Sequence, residues 1–107
     1  MPQFEFREHT RTTLEVQVAV WVAGQDEIVA RIGDISAGGC FVALVDPPPV
    51  GTSVRLKIEL KGDPVEAFAE VVWIRLTSKT LDQPAGMGLQ FRFFLGDGLT
   101  RLKSALI

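Results

Sequence analysis

The sequence predicts an all-β domain of about six short antiparallel strands followed by one short C-terminal helix. Three observations point there. Apolar and polar residues alternate with a period of two through several separate stretches, clusters of Gly, Pro and Asp divide those stretches, and leucines at helical spacing appear only near the end. At 107 residues, 47% hydrophobic and 22% charged, the chain has room for a single domain built on one core.

The elements follow in order. From Thr13 to Val22 the residues Leu14, Val16, Val18, Val20 and Val22 share one face, opposed by Glu15, Gln17 and Trp21, the pattern of a half-buried strand. Ala23 to Asp26 supplies a turn, and Glu27 to Ile32 resumes with Ile28, Ala30 and Ile32 inward, so a hairpin is expected. Gly33 and Asp34 interrupt this second strand, and Ser36 to Gly39 predicts a tight reversal or bulge before the apolar run Cys40 to Val45. Pro47, Pro48 and Pro49 donate no backbone hydrogen bonds and read as a loop.

Val54, Leu56, Ile58 and Leu60 alternate with Ser53, Arg55, Lys57 and Glu59, and Lys61 to Pro64 marks the next turn. Val65 to Leu76 is long for one flat strand, and the Val71–Val72 pair is where a bulge would change the inward-facing set. After a polar loop near Thr77 to Ala85, the residues Met87, Leu89, Phe91 and Phe93 are expected on one face, with Gly88, Gln90 and Arg92 on the other. Asp97 is read as the cap of a helix burying Leu99, Leu102 and Leu106, with Arg101 and Lys103 toward solvent. Periodicity alone permits a barrel, a sandwich or an open sheet.

The formal charge of −2 removes the broad attraction on which binding to long nucleic acid depends, although a local basic patch can hold a small anion. The single cysteine, Cys40, cannot form an internal disulfide and reads as a buried, inert thiol suited to a reducing cytoplasm. No export signal is read at the N-terminus, and no apolar run approaches the ~20 residues needed to span a bilayer. His9 is the only histidine and has neither a metal-binding companion nor a neighbouring nucleophile, so neither a metal site nor an enzyme is expected.

Two short motifs remain: Arg7 to Arg11, which is Arg-Glu-His-Thr-Arg, and Asp34 to Gly39, which is Asp-Ile-Ser-Ala-Gly-Gly. Each has an ordinary explanation: solvated charges for the first, an Asx or Ser turn for the second. In this order, with Ala69 to Trp73, a late glycine at Gly88 and a C-terminal helix, they resemble the PilZ domain, a bacterial receptor module for cyclic di-GMP. The resemblance implies a six-stranded antiparallel β-barrel over residues 13–107, preceded by an arginine-bearing arm over residues 1–12.

It also implies ligand-binding roles for Arg7, Arg11, Asp34, Ser36 and Gly39. The chemistry is suitable: arginine's planar fork matches both the O6/N7 edge of guanine and a phosphate. Asp34 accepts hydrogen bonds from the guanine N1/N2 edge, Ser36 offers a hydroxyl, and Gly39 lets backbone approach. Trp73 has two roles open, a stacking face for guanine or cover for the barrel wall, while Trp21 is left to pack under the helix or meet a partner. Many members of the family carry another arginine just before the first motif, where this chain has Phe6, which favours one ligand per domain over a stacked ligand dimer. The implied protein is a non-catalytic cytoplasmic receptor or adaptor that needs no cofactor and signals to an unidentified protein partner. The alternative is a PilZ-like protein-interaction module that no longer binds nucleotide.

Overall fold

The computed structural model describes residues 16–60, 63–77 and 84–106. Six strands, β1 (Val16–Val22), β2 (Ile28–Ile35), β3 (Gly39–Ala43), β4 (Ser53–Ile58), β5 (Val65–Arg75) and β6 (Gly86–Phe94), precede the helix α1 (Gly98–Ala105). They close into an antiparallel barrel in the order β1-β2-β3-β6-β5-β4. Closure pairs every strand on both sides and leaves no open sheet edge.

The interior follows the alternation in the sequence. Val18, Val20, Ile32, Cys40, Val42, Leu56, Ile58, Val65, Val71, Met87 and Leu89 are all fully buried. Burial of this kind contributes roughly 25 cal/mol per Å² of apolar surface removed from water, which is why the period-two pattern dictates the register. Cys40 faces this core, and desolvation pushes its thiol pKa far above the ordinary value, so it is not a nucleophile at neutral pH.

Three irregularities decide which residues face out. Between β2 and β3 the register shifts between Ile32 and Asp34. The extra residue Gly33 reverses the alternation, so Asp34 points outward while Ile35 returns to the core. Between β5 and β6, Val71 pairs with Leu89 and Trp73 with Gly88, leaving Val72 as the extra residue at the Val71–Val72 bulge site. Strict alternation would have put Trp73 beside Val71 on the inner face; the bulge turns Trp73 and Arg75 outward and Ile74 toward the core.

The third irregularity corrects an expectation. Phe68 pairs with Phe93 but Ala69 with Phe91, so Arg92 is the extra residue on β6. Phe93 is therefore 58% exposed, not inward with Phe91, and Phe94 packs against the core in its place.

The helix departs from its expected face as well. Gly98, Leu102 and Leu106 are buried and Leu99 is exposed, because the missing side chain at Gly98 lets the helix start lie against Val65 of β5. Asp97 occupies the N-cap position without a side-chain cap bond. Its carboxylate instead accepts from Arg101 Nε at 2.9 Å, and Arg101 Nη1 donates to the Pro64 carbonyl at 2.9 Å. Arg101 thus pins the helix to the turn before β5 instead of lying free in solvent.

Candidate functional site

The turn joining β2 to β3 is built by Ser36. Its N–H donates to the Gly39 carbonyl at 2.9 Å, and its Oγ accepts from the Gly38 N–H at 3.1 Å. Ser36 is fully buried, so its hydroxyl shapes the turn from within. Gly39 is bare for a packing reason: a Cβ there would run into the Leu89 carbonyl of β6. Both residues thereby fix where the backbone of this turn meets the neighbouring strand.

From this turn the outer wall runs across four strands. Asp34 pairs with Phe41, Phe41 with Gly88, and Gly88 with Trp73, so one cross-strand row carries a carboxylate, an aromatic ring, a bare position and an indole. Directly opposed residues in antiparallel strands share a face. With strands ~4.8 Å apart, the row spans roughly 14 Å at the backbone.

The glycines of β6 explain why two large rings fit there. A Cβ on Gly88 would collide with the Trp73 indole, and one on Gly86 would lie 2.6 Å from Phe41 Cζ. The rings occupy these vacated positions and stack at a centroid separation of 5.3 Å with planes 21° apart. Arg75 lies over both, its Cζ 5.2 Å from the Phe41 centroid and 5.3 Å from the Trp73 centroid. Its Nη1 donates to the Pro84 carbonyl at 2.9 Å.

Asp34, Ser36, Gly39 and Trp73 therefore belong to one end and one wall of the barrel. Arg7, Arg11, His9 and the rest of the 1–12 arm lie outside the described residues. Trp73 covers the outer wall and does not fill the barrel. Trp21 is covered by Arg55, whose Cζ is 4.9 Å from the ring.

Phe41 and Arg75 escaped the sequence reading. Phe41 sat inside an apolar run, yet its position between the inward Cys40 and Val42 marks it as outward. Arg75, two residues beyond Trp73, shares its face by strand periodicity. Their meeting also depends on β6 lying between β3 and β5, which local pattern does not reveal. Among the described residues no group of three His, Cys, Asp or Glu side chains is arranged to hold a metal, and no helix is long and apolar enough to cross a membrane.

The sequence profile of the PilZ domain matches residues 5–106, and the chain belongs to that family. PilZ domains are cyclic di-GMP signalling modules, generally receptors or adaptors without catalytic activity. Among solved structures the chain is similar to the Bacillus subtilis inhibitor of motility (MotI/DgrA), with a TM-score of 0.77 and 23% identity over 99% of this chain and 50% of that one. It thus spans about half the length of the Bacillus protein. It is also similar to the PilZ domain with c-di-GMP of YcgR from Escherichia coli, with a TM-score of 0.60 and 14% identity over 92% of this chain and 85% of that one. Comparison with curated proteins finds no match. At these identities the two structures speak for the fold.

Proposed function

We propose that this chain is a non-catalytic cytoplasmic receptor for cyclic di-GMP, in which the arm over residues 1–12 closes across ligand held on the outer wall of the barrel. Arg7 and Arg11 supply guanidinium contacts to guanine and phosphate; Asp34 and Trp73 supply the barrel side, with Ser36 and Gly39 building the turn that presents it. What supports this reading most is the bulge at Gly33, which turns the only carboxylate of the Asp34 to Gly39 motif out onto the row that ends at Trp73. Bulges that re-aim one side chain are concentrated beside binding sites.

Energetics decide how the signal arises. Ordering backbone costs roughly 1–2 kcal/mol per residue, so fixing even four arm residues costs ~4–8 kcal/mol. Hydrogen bonds to charged groups contribute ~1.5–3 kcal/mol each, and several are needed. Bound ligand is the proposed source of those contacts. The ligand-dependent arm is the output, read by a protein partner. The exposed Phe68–Phe93 pair, with ring centroids 6.3 Å apart on the same β5–β6 ladder as Trp73 but several residues further along it, is suited to apolar contact with such a partner.

Titration calorimetry with cyclic di-GMP tests the reading. The folded wild type should give saturable heat, and Arg11→Ala should weaken binding by ~1–3 kcal/mol if that arginine makes a bidentate guanine contact. Absence of saturable heat rejects the receptor. Unchanged affinity in Arg11→Ala rejects the role given to that residue.

A further inference from the structure

Arg75 differs from the described arginines that form ion pairs. Arg55 pairs with Glu66 at 3.1 Å, Arg92 with Glu70 at 2.7 Å and Arg101 with Asp97 at 2.9 Å. Among the described residues, Arg75 has no carboxylate within ion-pairing distance; its hydrogen-bond acceptor is the neutral Pro84 carbonyl. That hydrogen bond holds the guanidinium in place.

Its placement is equally specific. The separations of 5.2 and 5.3 Å from Arg75 Cζ to the two ring centroids match the 5.3 Å between the rings, so the cation straddles the pair instead of capping one ring. A ligand approaching the outer side of this cluster meets the guanidinium along with the indole. Guanidinium planes stack on aromatic rings and on nucleobases alike, and a lysine ammonium has no such plane.

We propose that Arg75 is a ligand-recognition residue of this surface: a planar cation on which a guanine base of the anionic dinucleotide stacks, with Phe41 and Trp73 as positioning residues that hold it. The proposal rests on the receptor reading and assigns Trp73 a supporting contact, through Arg75, in place of direct stacking. Arg75 adds to the barrel side a positive charge that Asp34, Ser36 and Gly39 do not supply. The tether to Pro84 reduces the side-chain entropy lost on binding, since the group is already oriented.

Calorimetry with cyclic di-GMP on wild type, Arg75→Ala, Arg75→Lys, Phe41→Leu and Phe41→Tyr tests it, with thermal melts to establish that each variant is folded. Arg75→Ala should weaken binding by roughly fivefold to a hundredfold, the range expected for one base-stacking contact. Arg75→Lys should lose nearly as much, because charge without a plane does not replace the stack. Phe41→Tyr should retain affinity and Phe41→Leu should lose it, a difference that simple filling of the wall would not produce. Wild-type affinity in either Arg75 variant overturns the proposal while leaving the receptor reading intact. No saturable heat with wild type overturns both.

Discussion

The barrel wall carries two clusters made from the same kinds of side chain, and their difference separates scaffold from site. On β1 and β4, Arg55 lies over Trp21, and its charge is offset by Glu66 across to β5. On β3, β6 and β5, Arg75 lies over Phe41 and Trp73 and is tied to a carbonyl, with no carboxylate within ion-pairing distance among the described residues. The first cluster is electrically complete within the barrel. In the second, no carboxylate of the described residues offsets the cation, and the cluster stands in the rows beside Asp34. The two also differ in their foundation: Trp21 sits in unbroken alternation, whereas Trp73 faces outward only because of a bulge.

The largest expected effect comes from the strand beneath the second cluster. Gly39→Ala sets a Cβ against the Leu89 carbonyl, a backbone atom that moves only if β3 and β6 separate, so a loss of ~3 kcal/mol in urea unfolding is expected. A stability equal to wild type would mean that the turn is not fixed as described. Gly88→Ala meets the Trp73 ring instead, and a side chain yields more readily than backbone: ~1–2 kcal/mol of stability is expected to go. In a Trp21→Phe background, where Trp73 is the only tryptophan, its fluorescence should shift with that substitution, and ligand affinity should fall with it.

Arg55→Ala provides the contrast. Loss of the cation over Trp21 and of a partly exposed ion pair should cost about 0.5–1 kcal/mol of stability, with cyclic di-GMP affinity unchanged. A substantial loss of affinity there would erase the distinction between the clusters. The smallest effect lies at the helix. The Arg101 hydrogen bond and charge hold the Asp97 carboxyl below its usual 3.8. A carboxylate with a depressed folded pKa stabilises above its unfolded pKa, and that contribution is lost as pH falls through the folded value. The stability difference between wild type and Asp97→Asn should therefore shrink as urea unfolding is repeated from pH 6 down to pH 2, whereas a constant difference would contradict the pairing.

Much of this architecture was written in local pattern. Val18, Val20, Leu56, Ile58, Met87 and Leu89 announce their inward faces by alternation, because burial rewards one register and penalises a one-residue slip. Alternation fails where a strand gains a residue. The Val71–Val72 bulge was legible as an excess of strand length, but the bulge at Arg92 left no such mark, and Phe93 and Phe94 exchanged faces in consequence. The helix misled in another way: three leucines suggested the buried face, while close approach at Gly98 rotated it to Gly98, Leu102 and Leu106.

The candidate site divides along the same line. Asp34, Ser36 and Gly39 are contiguous in sequence and were visible as a motif. The row from Asp34 through Phe41 and Gly88 to Trp73 assembles only when β6 inserts between β3 and β5, a long-range pairing that no single segment encodes. Arg75 joins that surface by following Trp73 through the bulge.

The most direct test compares the two walls in one experiment: calorimetric titration of cyclic di-GMP into folded wild type, Asp34→Ala and Arg55→Ala. Saturable binding by wild type and Arg55→Ala, weakened sharply in Asp34→Ala, is the result expected of a receptor surface on the Asp34 to Trp73 wall. No binding by wild type, or equal affinity in all three proteins, contradicts it.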